Sequence, residues 1–585
     1  MTSRLRRALT LAFLLFSALP ARTASAAEAP ILDRGVLVVL VPGASFERLM
    51  AVPQVQALVR AGGAALMSSR TPLPQLLAES FPRTETYPLP GSTIDLRFEI
   101  LEFGSGPAPD PWSRLGADIQ REVAKFLGVG EVMVVVASPT GSPAMLSAKD
   151  DLTPIVVASG PAASLFLSSE PMRTLASDST RRIGVVSDED VAPTILDFVG
   201  HTVQGNPRPI GLTGSVLRVV DAPPPFALHE RYLAMRRMSV PVPTVAGIYV
   251  ALAGLFAIAM LTWRRKVPRG LGRLAGWLAL TVPVLAVGLL SAGHLPTLSY
   301  ATVVPFVIAV TVAGTLAVVP LQRFGTLSPP AAIGAGVLVY LAVEAALGWT
   351  AALTPFLGGS ELDGGRFYGL PNEFIGLLVG ASLYLVARWR PWKGFALILA
   401  VALFAGLPGI GANLGGSIAL FAAAGLWFAH RARGRLGLKE LAFAGAVVVA
   451  GVGMVVLAHR FLTSSPTHVT RFVEEGDGLS HAWRTFADRL LVGWRLIARN
   501  PFALIPALGV PVSLFLVLRP AAPVREAFDR HREWRDAILV ILMASAVAYL
   551  ANDSGAAACG LGFGLGLGGL LYVSCAEQTW KMDAT

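Results

Sequence analysis

The chain has 585 residues, 54% of them hydrophobic and only 15% charged, with a mean hydropathy of +0.60. A soluble domain carries about 25% charged residues, so this composition excludes a wholly soluble protein and marks a membrane one. The net charge of +10 is unevenly spread. Residues 27–240 hold 18 Lys/Arg against 22 Asp/Glu, and residues 241–585 hold 26 against 16. The basic excess therefore belongs to the apolar half, where it reads as topological signal and contact with membrane lipids, not as a nucleic-acid footprint.

Residues 1–27 have the form of a signal peptide. Arg4, Arg6 and Arg7 precede an apolar run from Ala8 to Leu19, and Ala24-Ser25-Ala26 supplies a small-x-small cleavage pattern. Residues 28–239 predict an α/β domain outside the cytoplasm. Val36–Val41, Val132–Ala137 and Ile155–Ala158 are short β-branched runs, as in strands buried on both faces. Phe46–Ala61 has helical apolar spacing, and Asp188 is placed to cap a helix over Glu189–Val199 with Pro193 in its first turns. Strands alternating with helices predict a parallel sheet. Pro107–Pro111 and Asp221–Pro225 read as linkers. The domain has no cysteine. Cys559 and Cys575 lie 16 residues apart in the last apolar segment, about 24 Å along a helix and beyond disulfide reach.

The order VLVVLVPG (36–43), GGAALMSSRT (62–71), VMVVVASPTG (132–141), LTPIVVASG (152–160) and STRRIGVVSDEDVAPTILDFVG (179–200) resembles the alkaline-phosphatase superfamily, in particular its phosphoglyceromutase-like and phosphodiesterase-like members. The resemblance implies a two-metal phosphotransfer fold, but its ligand positions depart from the pattern. Pro42 stands where the first-strand Asp would be, and Pro139-Thr140-Gly141 where Asp-His-Gly would follow a central strand. The two histidines of the domain, His201 and His229, sit in no matching motif, and two metals about 4 Å apart need more ligands than remain. Ser68, Ser69 or Thr71 stands near the nucleophile position without an activating partner. The expectation is a metal-free, cofactor-free pseudo-enzyme.

Residues 240–585 predict an all-α bundle of about 11 transmembrane helices. Its pivot is Thr244–Trp263, an uncharged apolar stretch that stops on Arg264, Arg265 and Lys266; about 20 such residues cross a bilayer, and the basic end faces the cytoplasm. Further spans follow at about 274–290, 300–321, 331–351, 370–387, 394–410, up to His430, 441–457, 502–518, 537–550 and 556–573, with the C-terminus inside. The long segment 459–500 falls outside. Within it Leu479–Arg499 has amphipathic spacing, with Arg484, Arg495 and Arg499 placed for lipid phosphates at the interface. Gly560, Gly564 and Gly568 recur every four residues and predict close helix packing.

This threading puts the costly polar groups at the outer ends of spans: Arg366, Tyr368, Asn372 and Glu373; Asn413 among glycines; and Asn552, Asp553 and Ser554. Glu344 lies within a span. Ionisable groups at membrane depth line a cavity or pair with one another. The expectation is an envelope protein of the bacterial cytoplasmic membrane that binds, moves or presents a lipid-linked or anionic envelope precursor in an outward-facing pocket. Arg366 and the interfacial arginines would hold phosphate, with Asp553 and Glu373 as polar or proton-handling partners. A phospho-lipid or phosphoethanolamine-type transferase with its chemistry in the bundle is the first alternative. A non-catalytic scaffold binding an envelope protein is the second.

Overall fold

The computed structural model describes residues 34–68, 88–89, 92–93, 98–102, 111–127, 131–138, 152–199, 214–239, 241–263, 268–323, 327–349, 356–357, 369–462, 487, 504–520, 522–552 and 555–575. The signal-peptide reading at 1–27 lies outside them.

The N-terminal part, here the head, is a mixed α/β layer. In chain order it contains β1 (Arg34–Leu40), α1 (Phe46–Met50), α2 (Pro53–Ala61), β2 (Gly63–Ser68), the small strand pair β3 (Pro88–Leu89) and β4 (Ser92–Thr93), and β5 (Phe98–Glu102). Then come α3 (Pro111–Ala124), β6 (Glu131–Ala137), β7 (Leu152–Gly160), β8 (Thr174–Ala176), β9 (Val185–Ser187), α4 (Val191–Phe198), β10 (Arg218–Val220) and α5 (Phe226–Met238). The sheet order is β10-β8-β2-β7-β6-β1-β5, with β9 beside β2. Strand β1 shows why its run is continuously apolar. Leu37, Val39 and Val41 pack under Phe46, Leu58 and Ile119, while Val36, Val38 and Leu40 pack under Val191 and Ile195. Helices thus cover both faces, and no position along the strand is left for a polar residue.

Four sequence readings change. The sheet is mixed, because β7 runs antiparallel to both β2 and β6. A doubly buried strand reads the same in either direction, so composition is blind to this. The helix expected over Phe46–Ala61 is two helices, divided where Pro53 opens the second. The cap is Ser187, not Asp188, and it closes the short turn Asp188–Asp190 that leads into α4. Its hydroxyl accepts from Glu189 N–H while the Asp190 carboxylate accepts from Ser187 N–H (2.9 Å), a reciprocal box around the turn Asp188–Asp190. Pro111 also starts α3 and does not close a linker.

The C-terminal part is mostly helical: α6 (Pro241–Thr262), α7 (Arg269–Ser291), α8 (Tyr300–Arg323), α9 (Pro329–Ala346), α10 (Glu373–Val386), α11 (Pro391–Gly406), α12 (Leu414–Arg433), α13 (Leu438–Leu462), α14 (Leu504–Leu518), α15 (Ala522–Arg530), α16 (Arg532–Ala551) and α17 (Gly555–Cys575). Among the described residues, seven helical stretches are long and apolar enough to cross a membrane: Phe226–Thr262, Gly270–His294, Tyr300–Val318, Pro329–Ala346, Leu438–Leu462, Arg532–Ala551 and Ala558–Cys575. Glu373–Val386 and Pro391–Gly406 are apolar but shorter.

Glycine lets the inner helices meet backbone to backbone. A Cβ on Gly376 of α10 would overlap Ala558 O and Gly562 N of α17, so those two axes approach closely. Of the glycines expected to do this in α17, Gly568 does lie against Ala279 O of α7, at 2.8 Å from a built Cβ, whereas Gly564 has only ordinary contact with Val282 at 3.6 Å.

The head is seated on one end of the bundle. Arg231 of α5 donates to Leu295 O (2.8 Å) and to Gly293 O, beyond the C-terminal end of α7. Leu298 packs onto the head core. At the opposite, distal end the helices are joined by charge. Asp536 of α16 meets His430 Nε2 and Arg431 Nη1 of α12, each at 2.9 Å, Arg433 pairs with Glu440 at 2.8 Å, and Arg388 with Glu533 at 3.2 Å.

Candidate polar site at the head-facing end of the bundle

Helix α10 is central and nearly all of it is buried, yet it has 14 residues, about 21 Å against a hydrocarbon core of about 30 Å. Helix α11 has 16. Helix α13, which packs on α12 and touches α11, has 25. The two short helices leave non-helical backbone, Gly369–Asn372 and Leu407–Asn413, on the head side, with Leu370, Gly411 and Asn413 buried. Backbone at such depth must find its partners within the protein.

Asn413 provides them. It is 1% exposed. Its Nδ2 donates to Leu370 O and to Asn372 Oδ1, both at 2.9 Å, and its Oδ1 accepts from Gly416 N–H at 2.8 Å, capping α12. Its backbone N–H donates to Ala405 O (2.9 Å), and Leu370 N–H to Gly411 O (2.7 Å). Gly369, at φ +79°, sits where a Cβ would lie 2.5 Å from Gly411 O. One asparagine therefore ties together the start of α10, the α11–α12 turn and the start of α12. Asn552 joins the same level: a Cβ on Gly415 would lie 2.5 Å from both Ala551 O and Asn552 Oδ1, and Asn552 Nδ2 donates back to Ala548 O (2.9 Å).

The structure thus brings together three of the residues expected from sequence, Asn372, Asn413 and Asn552, with Glu373 next to Asn372. Asn413 and Asn552 are buried and committed to the fold, whereas Asn372 and Glu373 are half-buried. Glu344 belongs to a second group. It is 1% exposed on α9, its carboxylate meets His294 Nε2, and it accepts from Tyr340 Oη at 3.3 Å. Arg366, Tyr368, Asp553, Ser554, Arg484, Arg495 and Arg499 lie outside the described residues.

Sequence reasoning missed Tyr340 and His294 as partners of Glu344. Tyr340 carried a signal, standing one turn before Glu344 on the same face. His294 carried none, because it comes from the end of another helix. The Asp536 cluster was also missed, since His430 and Arg431 read only as the basic end of a span.

In the head, the carboxyl ends of β2, β6 and β9 hold buried hydroxyls, Ser68, Ser138 and Ser187, and Asp188. Ligands of α/β sheets gather at such edges. Asp190, just beyond, accepts from Ser187 and Ser215 N–H (2.9 and 2.8 Å), and burial raises its carboxyl above the ordinary range against the lowering pull of those bonds. His229 packs against Phe46, ring centroids 5.9 Å apart, a place in the core. His201, Ser69, Thr71 and Pro139-Thr140-Gly141 lie outside the described residues.

Compared with family models, with curated proteins and with solved structures, the chain finds no match in any of the three. Its own architecture, a mixed α/β head on a bundle with several membrane-length apolar helices, fits a multi-pass membrane protein.

Proposed function

We propose that this chain is a multi-pass protein of a bacterial envelope membrane whose head-facing recess binds, and moves or presents, a lipid-linked or anionic precursor. The observation that carries the reading is the short central helix α10 with the short α11 at its side. They leave an Asn413-braced polar floor beneath the head, with the half-buried Asn372 and Glu373 at its rim. Backbone of this kind stands at membrane depth only where it is buried in protein or lines a polar cavity.

In this reading Arg366 supplies the cation for phosphate, and Glu373 is the polar partner. The head lies outside the cytoplasm and is an alkaline-phosphatase-like domain without the metals. Exposed Pro42 after β1 supports that last point, since a proline offers no side-chain ligand where the resemblance would require an aspartate. The membrane crossings then number eleven, counting α6 to α14, α16 and α17. The distal basic residues Arg388, Arg431, Arg433 and Arg435 face the cytoplasm.

The test is the lipid that travels with the protein. Full-length protein purified in mild detergent, extracted and read by mass spectrometry, is expected to carry a phosphate-bearing lipid that Asn372→Ala and Arg366→Ala lose. Identical bulk phospholipid on all three proteins would remove the reading.

A further inference from the structure

Three non-glycine residues have positive φ among the described residues: Arg181 (+55°), Trp349 (+62°) and Ala412 (+48°). L-residues rarely hold this conformation unless their surroundings impose it, and it concentrates where function needs it. The three are far apart in the chain and meet at one junction.

Helix α9 ends in a Schellman turn, with Gly348 N–H to Ala345 O (3.1 Å) and Trp349 N–H to Glu344 O (2.7 Å). Gly348, at φ +76°, takes the left-handed position that glycine suits. Trp349, the next residue, is left-handed as well, and two contacts hold it there. From the head, Arg182 Nη2 donates to Trp349 O at 3.2 Å. Toward the bundle, Trp349 Nε1–H donates to Ile410 O at 2.6 Å, with the indole packed on Phe404 at 5.9 Å between ring centroids. Ile410 stands two residues before Ala412 and three before Asn413. Arg181, beside Arg182, lies within electrostatic reach of His459, whose Nε2 donates to Gly406 O (2.9 Å) at the other end of the same turn.

Among the described residues, the head thus reaches the α11–α12 turn through the buried Trp349 side chain, and that turn carries Asn413. We propose that Trp349 couples the head to the polar recess: the head loop Ser177–Gly184, through Arg182, holds Trp349 left-handed, and the Trp349 indole holds Leu407–Asn413 in the shape that presents Asn372 and Glu373. Withdrawal of the loop frees the Trp349 carbonyl, lets residue 349 relax to negative φ and swings the indole off Ile410. A ligand or partner on the head would act on the recess by this route. The proposal takes the recess as the working site, as argued above, but its geometry is read without any ligand.

Backbone hydrogen exchange of the full-length protein in lipid nanodiscs tests it, through the amides of Leu407–Ser417. Loss of one hydrogen bond in the chain of contacts is expected to speed local opening about fivefold. Arg182→Gln, whose shorter side chain leaves its amide short of the Trp349 carbonyl, and Trp349→Phe should each do so, and Arg182→Lys, whose longer chain still brings a donor to it, should restore most of the protection. The double variant Arg182→Gln/Trp349→Phe should exchange no faster than Trp349→Phe alone, because the two changes cut one path. Arg121→Gln, on the outer face of α3, should match the parent protein.

The proposal is overturned if Arg182→Gln leaves Leu407–Ser417 at the parent rate, or if its effect is as large with Phe at 349 as with Trp. Should Trp349→Phe fail to fold, the Gln and Lys variants of half-buried Arg182 decide the matter by themselves. The ligand-free readout separates this outcome from the lipid test. Loss of lipid specificity would leave the exchange result standing, and the reverse also holds.

Discussion

Asn413 does at the residue scale what a polar group must do inside an apolar bundle. It meets the donors and acceptors of three chain segments at once. Replacing it with alanine removes a helix cap and leaves Leu370 O and Gly416 N–H without their partner, which should cost about 2–4 kcal/mol. Denaturant unfolding followed by tryptophan fluorescence reads this directly, and a loss below about 0.5 kcal/mol, the scale of an ordinary surface change, would contradict the assignment. Asp190 makes the second prediction at this scale. Burial raises its carboxyl in the folded head above the ordinary aspartate range. The folded state thus holds the proton more tightly than the unfolded one. That contribution to stability is complete below the unfolded value of about 3.9 and is lost as pH rises through the folded one. Thermal unfolding of the head should move to lower temperature as pH climbs from acid toward neutral, and Asp190→Asn should flatten that slope. An unchanged slope in the variant would show that another group sets it.

Helix packing turns on what a glycine faces. Gly376 faces backbone, Ala558 O and Gly562 N of α17, which cannot move without shifting the helix. Gly564, on α17 itself, meets only the Val282 side chain at 3.6 Å, an ordinary van der Waals contact. Gly376→Ala should therefore destabilise by about 2 kcal/mol or more and Gly564→Ala by clearly less, as compared by unfolding in the same detergent. Equal costs would mean that α10 and α17 are less closely packed than described. At the distal end, Asp536 is the common acceptor of His430 and Arg431. Asp536→Ala leaves two half-buried donors facing each other and should cost about 2 kcal/mol. Combining it with Arg431→Met should recover part of that loss, because the uncompensated charge is gone.

Charge is segregated over the whole molecule: the head holds more acid than base, and the basic excess collects at helix ends away from the head. If that segregation reports orientation, Thr297→Cys, in the exposed turn beside the head, should react with an impermeant maleimide in intact cells, and Arg435→Cys only after lysis. Cys559 and Cys575 are buried, so native background should be low. The reverse pattern would invert the proposed topology.

How much could be read without coordinates follows from range. The apolar runs that became β1, β6 and the long helices were legible because burial on both faces of a strand, or an apolar surface suited to lipid around a helix, forbids charge along an entire stretch, a constraint written into consecutive residues. The polar cluster was half legible. Asn372, Asn413 and Asn552 stood out as expensive residues at helix ends, but nothing in their spacing says that the Asn413 amide bonds Asn372 and Leu370. The direction of β7, the His294–Glu344 pair, the clasp on Asp536 and the left-handed turn at Trp349 belong to the tertiary structure alone. Each depends on which distant segment lies alongside, and a residue's local pattern records that it is buried without recording what buries it.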